Sequence, residues 1–127
     1  MTKKLLKELM DLPLTDLGNA LRLQAIFGKR WVYLPKYRSW MYRDLHSWKG
    51  KSSLDIFYAA SVAFHKLAKE IYQMPLPKEE WEKSHRIQAI SWLMLSQRPT
   101  CAKHALNMYR DMQLEEAMIG EDVLRSN

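Results

Sequence analysis

The sequence predicts an all-α fold, a compact irregular bundle of about five to six helices in one domain. Three observations point there. Apolar residues recur mostly at three- and four-residue spacing. Glycine and proline are scarce, four and five in 127 residues, which argues against a loop-rich or multi-stranded chain. The chain is also 47% hydrophobic, enough for one self-sufficient core. A single domain over residues 1–127 follows, with residues 120–127 read as a flexible acidic tail.

The elements follow in order. Thr2 is a good N-cap for a first helix carrying Leu5, Leu6 and Leu9 to about Asp11, and Pro13 interrupts it. Thr15 caps a second helix that presents Leu17, Ala20, Leu21 and Ala25 and ends at Gly28. WVYLP at 31–35 is the one strand-like run. With no second strand in view it reads as an extended connector, and pairing of its edge with another chain is the lesser reading.

A third helix is expected from about Lys36 to Trp48. Tyr37, Trp40, Met41, Leu45 and Trp48 then form an apolar stripe turned to the core. A fourth helix follows the Ser52–Asp55 capping box and runs to about Gln73. It is apolar on most sides, including Tyr58, Val62 and Tyr72, and so belongs at the centre. Pro75 and Pro77 stop it. A fifth helix begins near Pro77 with Glu79, Glu80 and Glu82 suited to its N-terminus, and runs to about Gln97. Thr100 caps a sixth, whose stripe is Ala102, Ala105, Leu106, Tyr109 and Met112 and which ends at Gly120. Short turns make the last three helices antiparallel neighbours. Trp40, Trp48, Phe57, Phe64, Trp81 and Trp92 are the expected core aromatics, and the eight methionines are expected to fill gaps in the core.

The net charge of +6 is unevenly placed. Residues 29–51 hold seven Lys and Arg against the single Asp44, which is the whole net charge in one segment. Residues 111–127 carry a net −4. Such asymmetry suits an anionic partner. On the expected third helix, Arg38, Tyr42, His46 and Lys49 share a face separate from the apolar stripe, with Arg43 beside them. Lys29, Arg30 and Lys36 precede this face and Lys51 follows it. These nine residues are the candidate contacts for nucleic acid or for an acidic protein surface. The acidic residues at 111–122 are placed to fold back and screen them.

Signs of catalysis are weak. No nucleophile is paired with a base, and no glycine-rich phosphate loop or dinucleotide fingerprint occurs. His65 reads as a core histidine partnered by Ser61. Glu82 and His85 have di-iron spacing but lack a second pair, and Cys101 with His104 supplies two ligands where structural zinc needs four. No catalytic residue, metal or cofactor is therefore expected. Zinc-finger, RNP and KH signatures are missing. One cysteine, no apolar leader and no run long enough to span a bilayer suggest a cytoplasmic protein without membrane contact. The expected function is binding without catalysis, as a nucleic-acid-associated accessory or regulatory factor. The alternative is a helical adaptor or inhibitor, of the kind phages and plasmids carry, that docks on a host protein through the third helix or WVYLP. The partner's identity and the oligomeric state are not legible in the sequence.

Overall fold

The computed structural model describes residues 1–44, 47–50 and 53–125, with side chains described for residues 1–43 and 55–118. It is mainly helical, as expected, with five helices among the described residues: α1 (Lys3–Asp11), α2 (Asp16–Phe27), α3 (Ser53–Tyr72), α4 (Glu80–Leu95) and α5 (Pro99–Arg125). Between α2 and α3 lies an antiparallel sheet of β1 (Trp31–Leu34), β2 (Ser39–Asp44) and β3 (Ser47–Gly50), in the order β1-β2-β3.

Local chemistry sets several helix ends. The Thr2 hydroxyl accepts from the Leu5 N–H at 3.1 Å, and Thr15 accepts from Gly18 at 3.0 Å. Gly28 ends α2 at φ 60°, in the left-handed region that glycine occupies without steric cost, and its N–H donates to the Gln24 carbonyl. Pro99 opens α5 as its first residue, where a missing N–H costs nothing. α5 then continues past Gly120 to Arg125, longer than expected.

The expected third helix does not form. Residues 36–48 instead turn and run back along WVYL. Trp31 pairs with Tyr42 and Tyr33 with Trp40 across the first two strands. Alternation places these four aromatics on one sheet face, with ring centroids 5.0 Å apart in the first pair and 5.4 Å in the second. Trp40 stacks on Tyr109 of α5 at 5.5 Å, and Phe27 of α2 meets both Trp31 and Tyr109. This layer joins the sheet to the helices, and each such pair contributes about 0.5–1.5 kcal/mol beyond its buried area. The i, i+3, i+4 spacing at Tyr37, Trp40 and Met41 imitates a helix. A lone strand leaves its ladder groups unpaired, and the next segment satisfies them. Trp40 is core as expected, whereas Tyr37 stands 66% exposed on the hairpin tip.

The outer edge of β1 is closed by a side chain. The Gln113 carbonyl oxygen accepts from the Tyr33 N–H at 2.9 Å, and its amide donates to the Trp31 carbonyl at 2.9 Å. One amide thus takes the place of a neighbouring strand and blunts an edge that another chain would otherwise join. Gln113→Glu keeps the size and the acceptor but removes the donor. It should cost about 1–3 kcal/mol, with faster amide exchange at Tyr33. An unchanged urea midpoint would remove Gln113 from this role.

α3 is central: it contacts all four other helices and β2. Ile56, Ala60, Phe64, Leu67 and Ile71 are buried along it. It is not apolar all round in effect, because Tyr58, Val62 and Tyr72 face outward. α3 packs on α4, but α5 lies chiefly against α2 and α3 rather than beside α4. Phe64 is buried, while Phe57 and Trp92 are partly buried against the core. Trp81, expected inside, is 68% exposed. The buried line of α4 runs through Leu93 and Ala89 toward half-buried Arg86 and Glu82, and Trp81 falls off it. The side chain of Trp48, the fifth tryptophan, lies outside the described residues, as do Leu45 and Ser52 entirely.

α2 also differs from expectation. Leu17 and Ala25 are exposed, and the buried face carries Asn19 and Arg22 beside Ala20, Leu23 and Phe27. Arg22 donates to the carbonyls of Leu9, Leu12 and Pro13 and to Asn19 Oδ1, at 2.7–3.0 Å. Asn19 in turn accepts from the Trp92 indole and donates to the Ser96 hydroxyl. This polar network ties the α1–α2 junction to α4.

Candidate functional site

The meander redistributes the basic block. Lys29 and Arg30 are exposed between the end of α2 and β1, fixed by the Gly28 cap and by the Arg30 N–H, which donates to the Phe27 carbonyl. Arg43 is exposed near the end of β2, and its N–H donates to the Arg30 carbonyl at 2.8 Å, so the two arginines occupy adjacent backbone positions. Lys36 and Arg38 are exposed on the hairpin tip, about 17 Å away at ~3.4 Å per strand residue.

The tip is a tight turn. Pro35 presets the backbone angle of its first inner residue, the Tyr37 N–H donates to Leu34, and the Arg38 N–H donates to Pro35. Arg38 sits at φ 48°, a left-handed position unusual for a long side chain. Between the two cations Tyr37 projects into solvent, with Lys36 Nζ 5.6 Å from its ring centroid. The tip is thus a cation–aromatic–cation triplet.

Two assignments reverse. Tyr42, expected as the exposed aromatic, is half-buried against Trp31, and Tyr37, expected in the core, is the aromatic on offer. No helical face gathers Arg38, Tyr42 and Lys49. Lys49 is the β3 partner of Tyr42 in the backbone register, and its side chain lies outside the described residues. His46 and Lys51 lie outside them entirely. Among the described residues no carboxylate lies within ion-pair distance of Lys29, Arg30, Lys36 or Arg38. Of the acidic residues at 111–122, Glu116 lines a cleft of about 540 Å³ together with Lys29 and Arg43. Both segments therefore border one cleft.

The three described histidines, His65, His85 and His104, lie at the surface or half-buried. His85 Nε2 lies 2.8 Å from Asp11 Oδ1, and His104 lies 3.7 Å from Asp16. His65 is exposed, not a core residue, and the Ser61 hydroxyl is directed to the Gln97 carbonyl at 3.4 Å instead. No group of three or more His, Cys, Asp or Glu is gathered among the described residues. Among the described residues two ionisable groups are clearly perturbed. Burial lowers the Arg22 guanidinium from its ordinary value to about 10, still protonated at neutral pH. Burial raises the Tyr109 phenol, helped by the charge of Glu116 and opposed by its hydrogen bond with Gln113, so Tyr109 stays a neutral donor toward the Gly28 carbonyl.

One surface has no counterpart among the sequence expectations. Val62, His65, Lys69 and Tyr72 succeed one another at helical spacing on the outward side of α3, with Lys66 beside them. The cations at three- and four-residue spacing among aromatics were the available signal. No helix of the described residues is long and apolar enough to cross a membrane. Comparison with protein-family models, with curated proteins and with solved structures finds no match.

Proposed function

We propose that this chain is a small non-catalytic nucleic-acid-binding protein of the cytoplasm, an accessory or regulatory factor whose contact surface is the β-meander. The observation that carries the reading is the exposure of Lys29, Arg30, Lys36, Arg38 and Arg43 on a sheet anchored from behind by the Trp31–Trp40–Tyr109 layer. Cations held on a rigid scaffold neutralise phosphates without first being ordered, and counterion release then drives association. Tyr37 at the tip adds a face on which a base can stack.

The second reading is an adaptor or inhibitor that docks on a protein. The routes first expected for it are weakened, since the third helix is absent and Gln113 occupies the β1 edge. Exposed Leu76 and Trp81 are the apolar side chains that favour it.

Salt separates the two. The combined variant Lys29→Ser, Lys36→Ser, Arg38→Asn removes three cations, and Asn tolerates the left-handed position. Its stability should stay within about 0.5 kcal/mol per site of the parent. Its affinity for duplex should fall, and the slope of log affinity against log salt should flatten by about 0.9 for each phosphate no longer neutralised. Unchanged affinity and slope would place the interface elsewhere and turn attention to Trp81.

A further inference from the structure

Where the end of α2 and the first two strands meet α3, a small cleft of about 290 Å³ opens. Phe27, Trp31 and Tyr42 line it together with Val62; Phe27 and Trp31 are buried, so half-buried Tyr42 and exposed Val62 are what it offers to a ligand. Two cations line it, Arg30 from the meander and Lys66 from α3, and no acidic residue does. Neither cation has an ion-pair partner among the described residues. Lys66 comes from an element 36 residues further along the chain, so only the fold joins it to the basic block.

We propose that this cleft seats one unstacked base of a single-stranded nucleic acid, with the adjoining phosphates held by Arg30 and Lys66. The inference rests on the reading of the meander as a nucleic-acid surface and names the form of nucleic acid it takes. A flat ring can pack against the half-buried Tyr42 ring and the Val62 side chain, and every base has a π-face to offer. In a duplex those faces are covered by stacked neighbours, and presenting one would require unstacking worth a few kcal/mol. A double helix is also too wide to enter so small a cleft. Beyond it, His65, Lys69 and Tyr72 continue along α3, and Tyr72 is 76% exposed. From Val62 to Tyr72 the helix advances about 15 Å, so the strand leaving the cleft meets alternating cationic and aromatic groups. Single strands are bound this way, by a charged track with stacking platforms.

The test compares a labelled single strand of about 16 nucleotides, long enough for one site of the usual size, with the same strand annealed to its complement. Fluorescence anisotropy is read across a salt series. The variant Arg30→Ser, Lys66→Ser is measured beside the parent, with its urea midpoint as the folding control. A third probe is a sugar–phosphate strand of equal length lacking bases. The parent should bind the single strand at least tenfold tighter than duplex or the abasic strand. The double variant should bind the single strand at least tenfold more weakly, with a slope flatter by about 1.4, or 0.7 for each phosphate that Arg30 and Lys66 neutralise. Equal affinity for single strand and duplex, or an unaffected double variant while the Lys29, Lys36, Arg38 variant is weakened, overturns the cleft and leaves the meander reading standing. No salt-dependent binding of any probe by the parent overturns both.

Discussion

Gly18→Ala should destabilise the fold by on the order of 3–5 kcal/mol, although helix propensity alone predicts the opposite. Gly18 lies in the first turn of α2, where alanine is favoured over glycine by about 1 kcal/mol in an unobstructed helix. Here an added Cβ would stand 1.9 Å from the Pro13 carbonyl oxygen and 3.2 Å from Arg22 Nη1. The first of these is backbone, so no rotamer change relieves it. The α1–α2 connection would have to move, and with it the carbonyls that Arg22 binds. Urea unfolding of the variant is the measurement. A midpoint equal to or above the parent's would show that the junction yields freely and that the close approach is not required.

Arg22→Leu should be of similar size, on the order of 3–5 kcal/mol. The guanidinium is fully buried and faces no carboxylate. Its charge is met by carbonyls near the C-terminal end of α1, where the helix dipole favours a cation. Leucine fills much of the volume but leaves the carbonyls of Leu9, Leu12 and Pro13 and one side of Asn19 without their donor. Arg22→Lys restores the charge but cannot make four bonds in a fixed fork, so it should recover only part of the loss. The pH dependence has a definite sign. Because burial lowers the folded value to about 10, the residue is protonated in both states at neutral pH and adds no slope there. Above about pH 10 the unfolded chain holds the extra proton, so this group makes stability rise with pH until the unfolded chain loses its proton too. A loss under 1 kcal/mol in Arg22→Leu would mean that water or a rearranged connection replaces the four donors.

What the sequence determined by itself is local. Thr2 and Thr15 cap helices where they stand, Gly28 ends one, and prolines separate the later ones, because each acts on backbone groups a few residues away. The 3.6-residue period of α3 and α5 was legible for the same reason, as was the charge of residues 29–51, which adds along the chain whatever its shape. What tertiary structure alone decided depends on partners far along the chain. Trp31, Tyr33, Trp40 and Tyr42 alternate as strand residues do, yet Tyr37, Trp40 and Met41 also fit a helix. The turn that would have separated the two readings carries Arg38 at its left-handed position instead of glycine. Burial of Asn19 and Arg22 on α2 became favourable only once α1 presented its last carbonyls and α4 brought Trp92 and Ser96. Gln113 closes β1 from 80 residues downstream. The candidate surface divides in the same way: its cations were legible, but backbone pairing set which of them share a face, exchanged Tyr42 for Tyr37, and brought Lys66 of α3 beside Arg30.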